Sequence, residues 1–241
     1  MQYDVEEDEN SLKIFGMQKL TLLDYPGKMA CTIFTGGCNF RCPFCHNGDL
    51  VFLPENMAEM NVEDILSFLK RRVSILEGVC ISGGEPLLQA QLTPFLRKVK
   101  ALGYQIKLDS NGTNPDKLKE LVDEGLIDYV AMDIKNDPEH YAETAGIHSI
   151  DMTQIEKSVQ YLMQGNIPYE FRTTIVKEYH TKETMEAIGK WLKGANAYYL
   201  QNFEDGECVI KKGLHACEKE ELETFAQIVR AYIPNTAIRG I

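Results

Sequence analysis

Short apolar runs alternate with amphipathic helical segments along most of the chain, and this alternation limits the folds that are open to it. The segments form six strand–helix units. Repeated units of this kind give parallel strands with the helices outside them. An open doubly wound sheet and a partial barrel both fit, because six units are too few for a complete eight-stranded barrel. The predicted strands are Ala30–Thr35, Gly78–Ser82, Gln105–Leu108, Tyr129–Asp133, Tyr169–Val176 and Ala197–Gln201, and the predicted helices are Asn61–Leu76, Leu92–Leu102, Pro115–Gly125, Met152–Met163, Thr181–Leu192 and Glu218–Tyr232.

The charge and the two ends of the chain exclude several classes of protein. With a formal net charge of −11 and no basic face, nucleic acid is not an expected partner. No basic region followed by an apolar core marks a signal peptide, and no apolar run is long enough to span a bilayer. We therefore expect a cytoplasmic protein without a membrane partner. Residues 1–11 are predicted to form an acidic, flexible tail, and residues 12–241 to form one domain.

Polar or cysteine-rich motifs follow four of the predicted strands at the point where each strand ends. A CxxxCxxC motif follows the first strand, and Ser-Gly-Gly-Glu-Pro follows the second. Asp-Ser-Asn-Gly and Met-Asp-Ile-Lys stand at the ends of the next two. Active groups in parallel α/β folds gather beyond the carboxyl ends of the strands. The sequence therefore predicts that all four motifs line one mouth of the fold.

The cysteines Cys38, Cys42 and Cys45 are the strongest chemical signal. Three thiolates within eight residues can converge on one inorganic centre. Iron–sulfur clusters normally take four cysteines, so three would leave one iron open to another ligand. A zinc site is the alternative, but it needs a fourth ligand, and His46 directly follows Cys45 and would strain the geometry. Three unrelated thiols, a zinc-stabilised binding module and a simple electron-transfer iron–sulfur protein remain open on spacing alone.

The motifs together resemble those of the radical S-adenosylmethionine (SAM) superfamily. CxxxCxxC with an aromatic residue, Phe44, before the last cysteine is similar to its signature, and Gly83-Gly84-Glu85 is similar to its GGE motif. The segments 107–112 and 132–135 resemble those of glycyl-radical-enzyme activases. This resemblance implies a partial (β/α)6 barrel, a [4Fe–4S] cluster on the three cysteines, and SAM chelating the open iron.

The resemblance also implies a set of SAM contacts. The two glycines let the backbone approach a ligand closely, and Glu85 is placed to accept hydrogen bonds from the methionyl ammonium. Asp109 and Asp133, at neighbouring strand ends, are expected near SAM, and with Ser110 they are expected to be able to hold a monovalent cation. Asp and Ser at such loop positions also commonly cap the next helix, and this is the alternative interpretation. Besides Glu85, the expected cofactor-binding residues are therefore Phe44, Gly83, Gly84, Asp109, Ser110, Asp133, Lys135 and Arg172.

Within the superfamily, the stretch 16–28 resembles activating proteins of anaerobic ribonucleoside-triphosphate reductase. The implied activity is reductive cleavage of SAM and formation of a glycyl radical on that reductase, with a flavodoxin- or ferredoxin-type electron donor. Pyruvate formate-lyase or another glycyl-radical enzyme is the alternative partner. Pyruvate formate-lyase activases carry a His after the sixth strand, whereas this chain has no His in Leu200–Phe203, so only Gln201 could serve there. No cysteine lies between Cys45 and Cys80, which excludes an inserted ferredoxin module.

Overall fold

The computed structural model describes residues 12–240, and these form an eight-stranded sheet whose strands follow one another in chain order. The first strand is antiparallel to the second, and every later neighbour is parallel. The predicted acidic tail, residues 1–11, lies outside the described residues. The strands are β1 (Ile14–Thr21), β2 (Ala30–Thr35), β3 (Gly78–Gly83), β4 (Gln105–Ser110), β5 (Tyr129–Asp133), β6 (Tyr169–Ile175), β7 (Tyr198–Asn202) and β8 (Thr236–Arg239).

Helices connect the parallel strands, and four of the eight in residues 12–240 begin at residues whose side chains cap them. The Asn61 side chain accepts from two backbone N–H groups of the next helix, and Thr181 forms a capping box with Thr184. Pro115 stands at the first helical position after its capping Asn114. The helices are α1 (Gly48–Phe52), α2 (Val62–Lys70), α3 (Leu92–Ala101), α4 (Pro115–Asp123), α5 (Tyr141–Thr144), α6 (Met152–Met163), α7 (Lys182–Trp191) and α8 (Lys219–Arg230).

The six predicted strand–helix units are present, and the α/β fold of the partial-barrel type is confirmed. Two strands at the ends of the sheet were missed. β1 has a mostly half-exposed or exposed surface and lacks the apolar signature of a buried strand, and β8 has four residues of which one is buried. The predicted helix Asn61–Leu76 ends early, at Lys70, and turns occupy residues 71–75.

The two ends of the parallel strands differ in what covers them. At the amino-terminal end, Tyr25 packs against the start of β3 so closely that a Cβ on Gly78 would lie 2.8 Å from its ring. At the carboxyl-terminal end, the loops that carry the four motifs meet above β2, β3, β4 and β5. None of the helices in residues 12–240 is long and apolar enough to cross a membrane.

Thr93 in α3 generates a stability prediction. Within residues 12–240 it carries the buried side-chain oxygen that has no hydrogen-bond partner. Thr93→Val removes an unsatisfied hydroxyl, so we expect the free energy of unfolding to stay unchanged or rise by up to about 1 kcal/mol. The urea midpoint of the purified variant measures this.

Thr236→Val is the matched control. Its buried hydroxyl donates to the carbonyl of Ile233 at 2.7 Å, and leaving that acceptor unpaired is expected to cost about 1–3 kcal/mol. Equal losses of stability in the two variants would contradict the assignment of Thr93 as unsatisfied.

Candidate functional site

The three cysteines lie in the loop between β2 and α1, and the loop is braced by its own backbone. The Cys45 N–H donates to the Cys42 carbonyl at 3.0 Å. The Arg41 guanidinium donates to the carbonyls of Cys38 (2.5 Å) and Phe40 (2.8 Å). The Arg41 N–H in turn donates to Ala145 at 2.9 Å, which docks the loop on the segment after α5. The cysteine loop is therefore ordered by contacts that do not use the thiols.

Gly84 is required by a close approach of the chain to itself. A Cβ at this position would lie 2.0 Å from the Gly37 carbonyl oxygen. The Gly84 N–H donates to Thr35 at 2.9 Å, and the next N–H, of Glu85, donates to Gly37 at 2.8 Å. Gly83 has a φ of +123°, a conformation that favours glycine. The glycines thus seat the loop after β3 directly on the cysteine loop.

One cavity of about 420 Å³ opens at this end of the sheet, and nearly all predicted site residues line it. This volume lies in the range of small-molecule sites. The predicted residues on its wall are Cys38, Cys42, Cys45, Gly83, Gly84, Asp109, Ser110, Asp133, Lys135 and Arg172. Phe44 and Glu85 are the two predicted residues outside its lining. Phe44 is buried, with its ring 6.1 Å from that of Tyr179.

Glu85 is buried beside the cavity and joins neighbouring loops. Its carboxylate accepts from the Ser110 hydroxyl (3.0 Å), the Asn111 N–H (2.6 Å) and the Leu87 N–H (3.0 Å). Burial raises the pKa of Glu85 to about 7, while these three hydrogen bonds favour the ionised form. Together with its own N–H on Gly37, Glu85 therefore connects the loops after β2, β3 and β4.

Charged side chains of alternating sign run along the cavity wall. Lys107 is ion-paired with Asp109, whose second oxygen contacts Arg172 at 3.1 Å. Arg172 also contacts Asp133 (2.5 Å), and Asp133 contacts Lys135 (3.2 Å). We call these five residues the ion chain. It contains three cations and two carboxylates, of which Asp109, Asp133, Lys135 and Arg172 line the cavity.

The cations of the ion chain lower the pKa of its two carboxylates. Burial alone would raise the pKa of Asp133, but Arg172 and Lys135 outweigh it and hold the pKa well below its usual range. Burial acts on Asp109 in the same direction and is outweighed by Arg172 and Lys107, so its pKa is lowered as well. Both carboxylates are therefore ionised, and both are already paired with cations of the protein.

The three thiols lie on one cavity wall, where a cluster with several irons could be held by Cys38, Cys42 and Cys45. Burial raises the pKa of all three, that of Cys42 to about 12, and the charge of Lys135 acts against this rise at each.

Several lining residues were missed by sequence reasoning. Asp24 reaches the cavity from the loop between β1 and β2 and accepts from the Thr32 hydroxyl. The missed antiparallel strand β1 is what turns that loop back under the barrel, so no local signal marked Asp24. Ser82 and Asn111 stand inside the recognised motifs but were not among the predicted site residues. Further lining residues are Phe40, Asn47, Val51 and Thr174.

His46 and Gln201, which are not among the predicted site residues, also line the cavity. His46 is stacked on Phe203, with ring centroids 5.5 Å apart, and its Nε2 contacts the Glu204 carbonyl at 2.7 Å. Gln201, near the end of β7, lies on the same wall. The cavity wall therefore continues from the cysteine loop to β7.

Comparison with known proteins identifies the family. Residues 32–192 match the family described as the radical SAM superfamily. A protein of Methanocaldococcus jannaschii named as a glycyl-radical enzyme activating enzyme is 34% identical over 234 residues, which cover 95% of this chain and 96% of that protein. The pyruvate formate-lyase-activating enzyme of Clostridium pasteurianum is 33% identical over 132 residues, 52% of each chain.

A solved structure agrees on the fold. SuiB of Streptococcus suis superposes with a TM-score of 0.66 at 16% identity, over 85% of this chain and 47% of SuiB. This chain therefore spans about half the length of SuiB, and at that identity the likeness concerns the fold alone. The cysteine loop, the motif-lined cavity and these relatives lead to one conclusion: the chain belongs to the radical SAM superfamily and, within it, to the family of glycyl-radical enzyme activating enzymes.

Proposed function

We propose that this chain holds a [4Fe–4S] cluster through Cys38, Cys42 and Cys45, binds SAM in the adjoining cavity, and generates a glycyl radical on a partner enzyme. The observation that carries the proposal is the convergence of four strand-end motifs on one cavity beside the three thiols. When bound, the two cofactors supply one electron and a 5′-deoxyadenosyl group that removes a hydrogen atom from the substrate. The protein supplies binding, orientation and exclusion of water.

The ion chain supports SAM binding by matching the charges of its methionyl group. Lys135 and Arg172 line the cavity and present N–H groups suited to a carboxylate. Asp109 and Asp133 offer ionised oxygens suited to an ammonium. A monovalent cation at these carboxylates stays a prediction. Asp109 and Asp133 are both paired with Arg172, and the Ser110 hydroxyl donates to Glu85.

The route for a protein substrate is a groove that continues from the cavity. A second hollow of about 280 Å³ shares His46, Thr174 and Gln201 with the main cavity and extends to Arg239 near the end of β8. Its polar lining suits the backbone of an extended glycine-containing loop, and among residues 12–240 no strand pairs with the outer edge of β8. We propose anaerobic ribonucleoside-triphosphate reductase as the partner, on the resemblance of residues 16–28.

The first prediction concerns the cluster. Anaerobic reconstitution is expected to give about four irons per chain. Cys42→Ala removes one of the three thiolate ligands, so iron content and the visible absorption of the cluster should be lost. Cys31→Ala is the matched control, because Cys31 is a buried cysteine of β2 that does not line the cavity. A full cluster in the Cys42 variant would rule out this ligand set.

The second prediction concerns Glu85. Glu85→Ala leaves the Ser110 hydroxyl and two N–H groups without their acceptor, so the loops around the cavity lose their connection. We expect SAM affinity to fall by about 1–3 kcal/mol in equilibrium binding to reconstituted protein.

Glu77→Ala is the control for this change. Glu77 precedes β3 as Glu85 follows it, and its carboxylate accepts from the Met29 N–H at 3.0 Å at the opposite end of the sheet. SAM affinity should be unaffected in the control. Unchanged affinity in both variants would remove Glu85 from the site.

The partner is tested by mixing reduced protein and SAM with each candidate glycyl-radical enzyme and recording the electron paramagnetic resonance doublet. We expect the doublet on anaerobic ribonucleoside-triphosphate reductase. A doublet on pyruvate formate-lyase alone would change the partner and keep the chemistry. SAM cleavage to 5′-deoxyadenosine without a glycyl radical on either enzyme would contradict the activase function. A flavodoxin- or ferredoxin-type donor is proposed as the source of the electron and is compared with dithionite in the same assay.

A further inference from the structure

The backbone segment that carries Lys135 is held by side chains from three other parts of the fold. Its successive carbonyls, at 133, 134 and 135, accept from Tyr141 (3.3 Å), Thr173 (2.7 Å) and His180 (3.0 Å). The segment has left β5 at this point, so these side chains replace partners that a sheet would provide. The position of Lys135 is therefore determined by residues that do not themselves reach the cavity.

His180 is the member of this set with no other described role in the site. It is 2% exposed, and its Nδ1 accepts from the Val176 N–H at 3.1 Å. Nδ1 also lies 3.2 Å from the Val176 carbonyl, but Nε2 meets the Lys135 carbonyl, which can only accept, so Nε2 carries a proton. The imidazole thus connects the end of β6 to the residue that supplies the ammonium.

Lys135 stands between the ion chain and the cysteines. Its side chain is 17% exposed, and the exposed part faces the cavity that the three thiols line. Its one carboxylate partner, Asp133, is shared with Arg172. The charge of Lys135 also opposes the rise that burial causes in the pKa of Cys38, Cys42 and Cys45. This ammonium is therefore a cation of the ion chain that lies on the same cavity wall as the thiols.

We propose that His180 is a positioning residue for Lys135, and that the ammonium it holds in place favours the reduced form of the cluster bound by the three cysteines. Reduction adds negative charge, and a nearby buried cation stabilises the more negative form. The inference rests on the proposed function, because it requires a cluster on these thiols. It goes beyond that function by assigning Lys135 an effect on reduction that does not depend on SAM.

The test is the midpoint potential of the reconstituted cluster, measured by redox titration with electron paramagnetic resonance and without SAM. In Lys135→Met, the ratio of reduced to oxidised cluster at a fixed potential should fall about tenfold or more, a shift of about 59 mV to more negative values for one electron. Lys135→Arg keeps the charge and should restore most of the potential. Asp133 keeps Arg172 in both variants, so neither leaves it unpaired.

His180→Phe removes the donor and should shift the potential in the same direction by a smaller amount. The double variant with Lys135→Met should shift no further than Lys135→Met alone, because His180 acts through the lysine. His180→Gln retains an amide donor and should recover part of the loss. If His180→Phe does not fold, His180→Leu replaces it, and urea midpoints of all variants identify loss of fold separately.

Lys107→Met is the matched control, since it removes a lysine from the other end of the ion chain, where the neighbours are Asp109 and Cys80. Its shift should be smaller than that of Lys135→Met. An unchanged potential in Lys135→Met, or additive shifts in the double variant, would overturn the inference if both variants still bind about four irons per chain. Absence of iron in the unmodified protein would instead contradict the proposed function.

Discussion

The hydrogen bonds of Glu85 are the interaction on which the arrangement of the site depends. Its N–H binds the cysteine loop at Gly37, and its carboxylate binds Ser110 and Asn111 beyond the next strand. A parallel sheet aligns strand ends but does not by itself fix the loops that follow them. One buried residue, with its backbone N–H as donor and its two carboxylate oxygens as acceptors, fixes three such loops relative to each other. Placing a carboxylate in a buried position is costly, and three donors offset that cost.

The ion chain pairs the charged side chains of the cavity wall with one another. Charges that are largely removed from water must be paired, and Arg172 meets two carboxylates at once from the middle of β6. Alternation of sign along neighbouring strands lets each carboxylate keep at least one cation when another is occupied by a ligand. The wall can therefore meet both the carboxylate and the ammonium of an amino acid without exposing an unpaired charge.

The sequence predicted most of this site because its residues follow strands whose direction is fixed by the parallel topology. Cys38, Asp109 and Lys135 are distant in the chain, yet each stands where a predicted strand ends. Asp24 could not be found in this way, since it depends on the antiparallel strand β1, whose polar surface gives no strand signal. The position of the Glu85 side chain was also beyond the sequence, because a motif identifies the residue and not the direction of its carboxylate.

The loop after β7 shows how the cysteine loop is held from its other side. The Gly48 N–H donates to the Cys208 carbonyl at 3.1 Å, and the Lys211 N–H donates to Pro43 at 2.8 Å. His46 adds its contact with Glu204. The cysteine loop is thus held between this loop and the segment after α5, which binds Arg41. The backbone hydrogen bonds from the loop after β7 and from the segment after α5 do not involve the thiols. Folding by itself therefore places the three thiols on one cavity wall. A cluster therefore meets thiols that are already gathered on one wall, and its binding requires little further ordering of the chain.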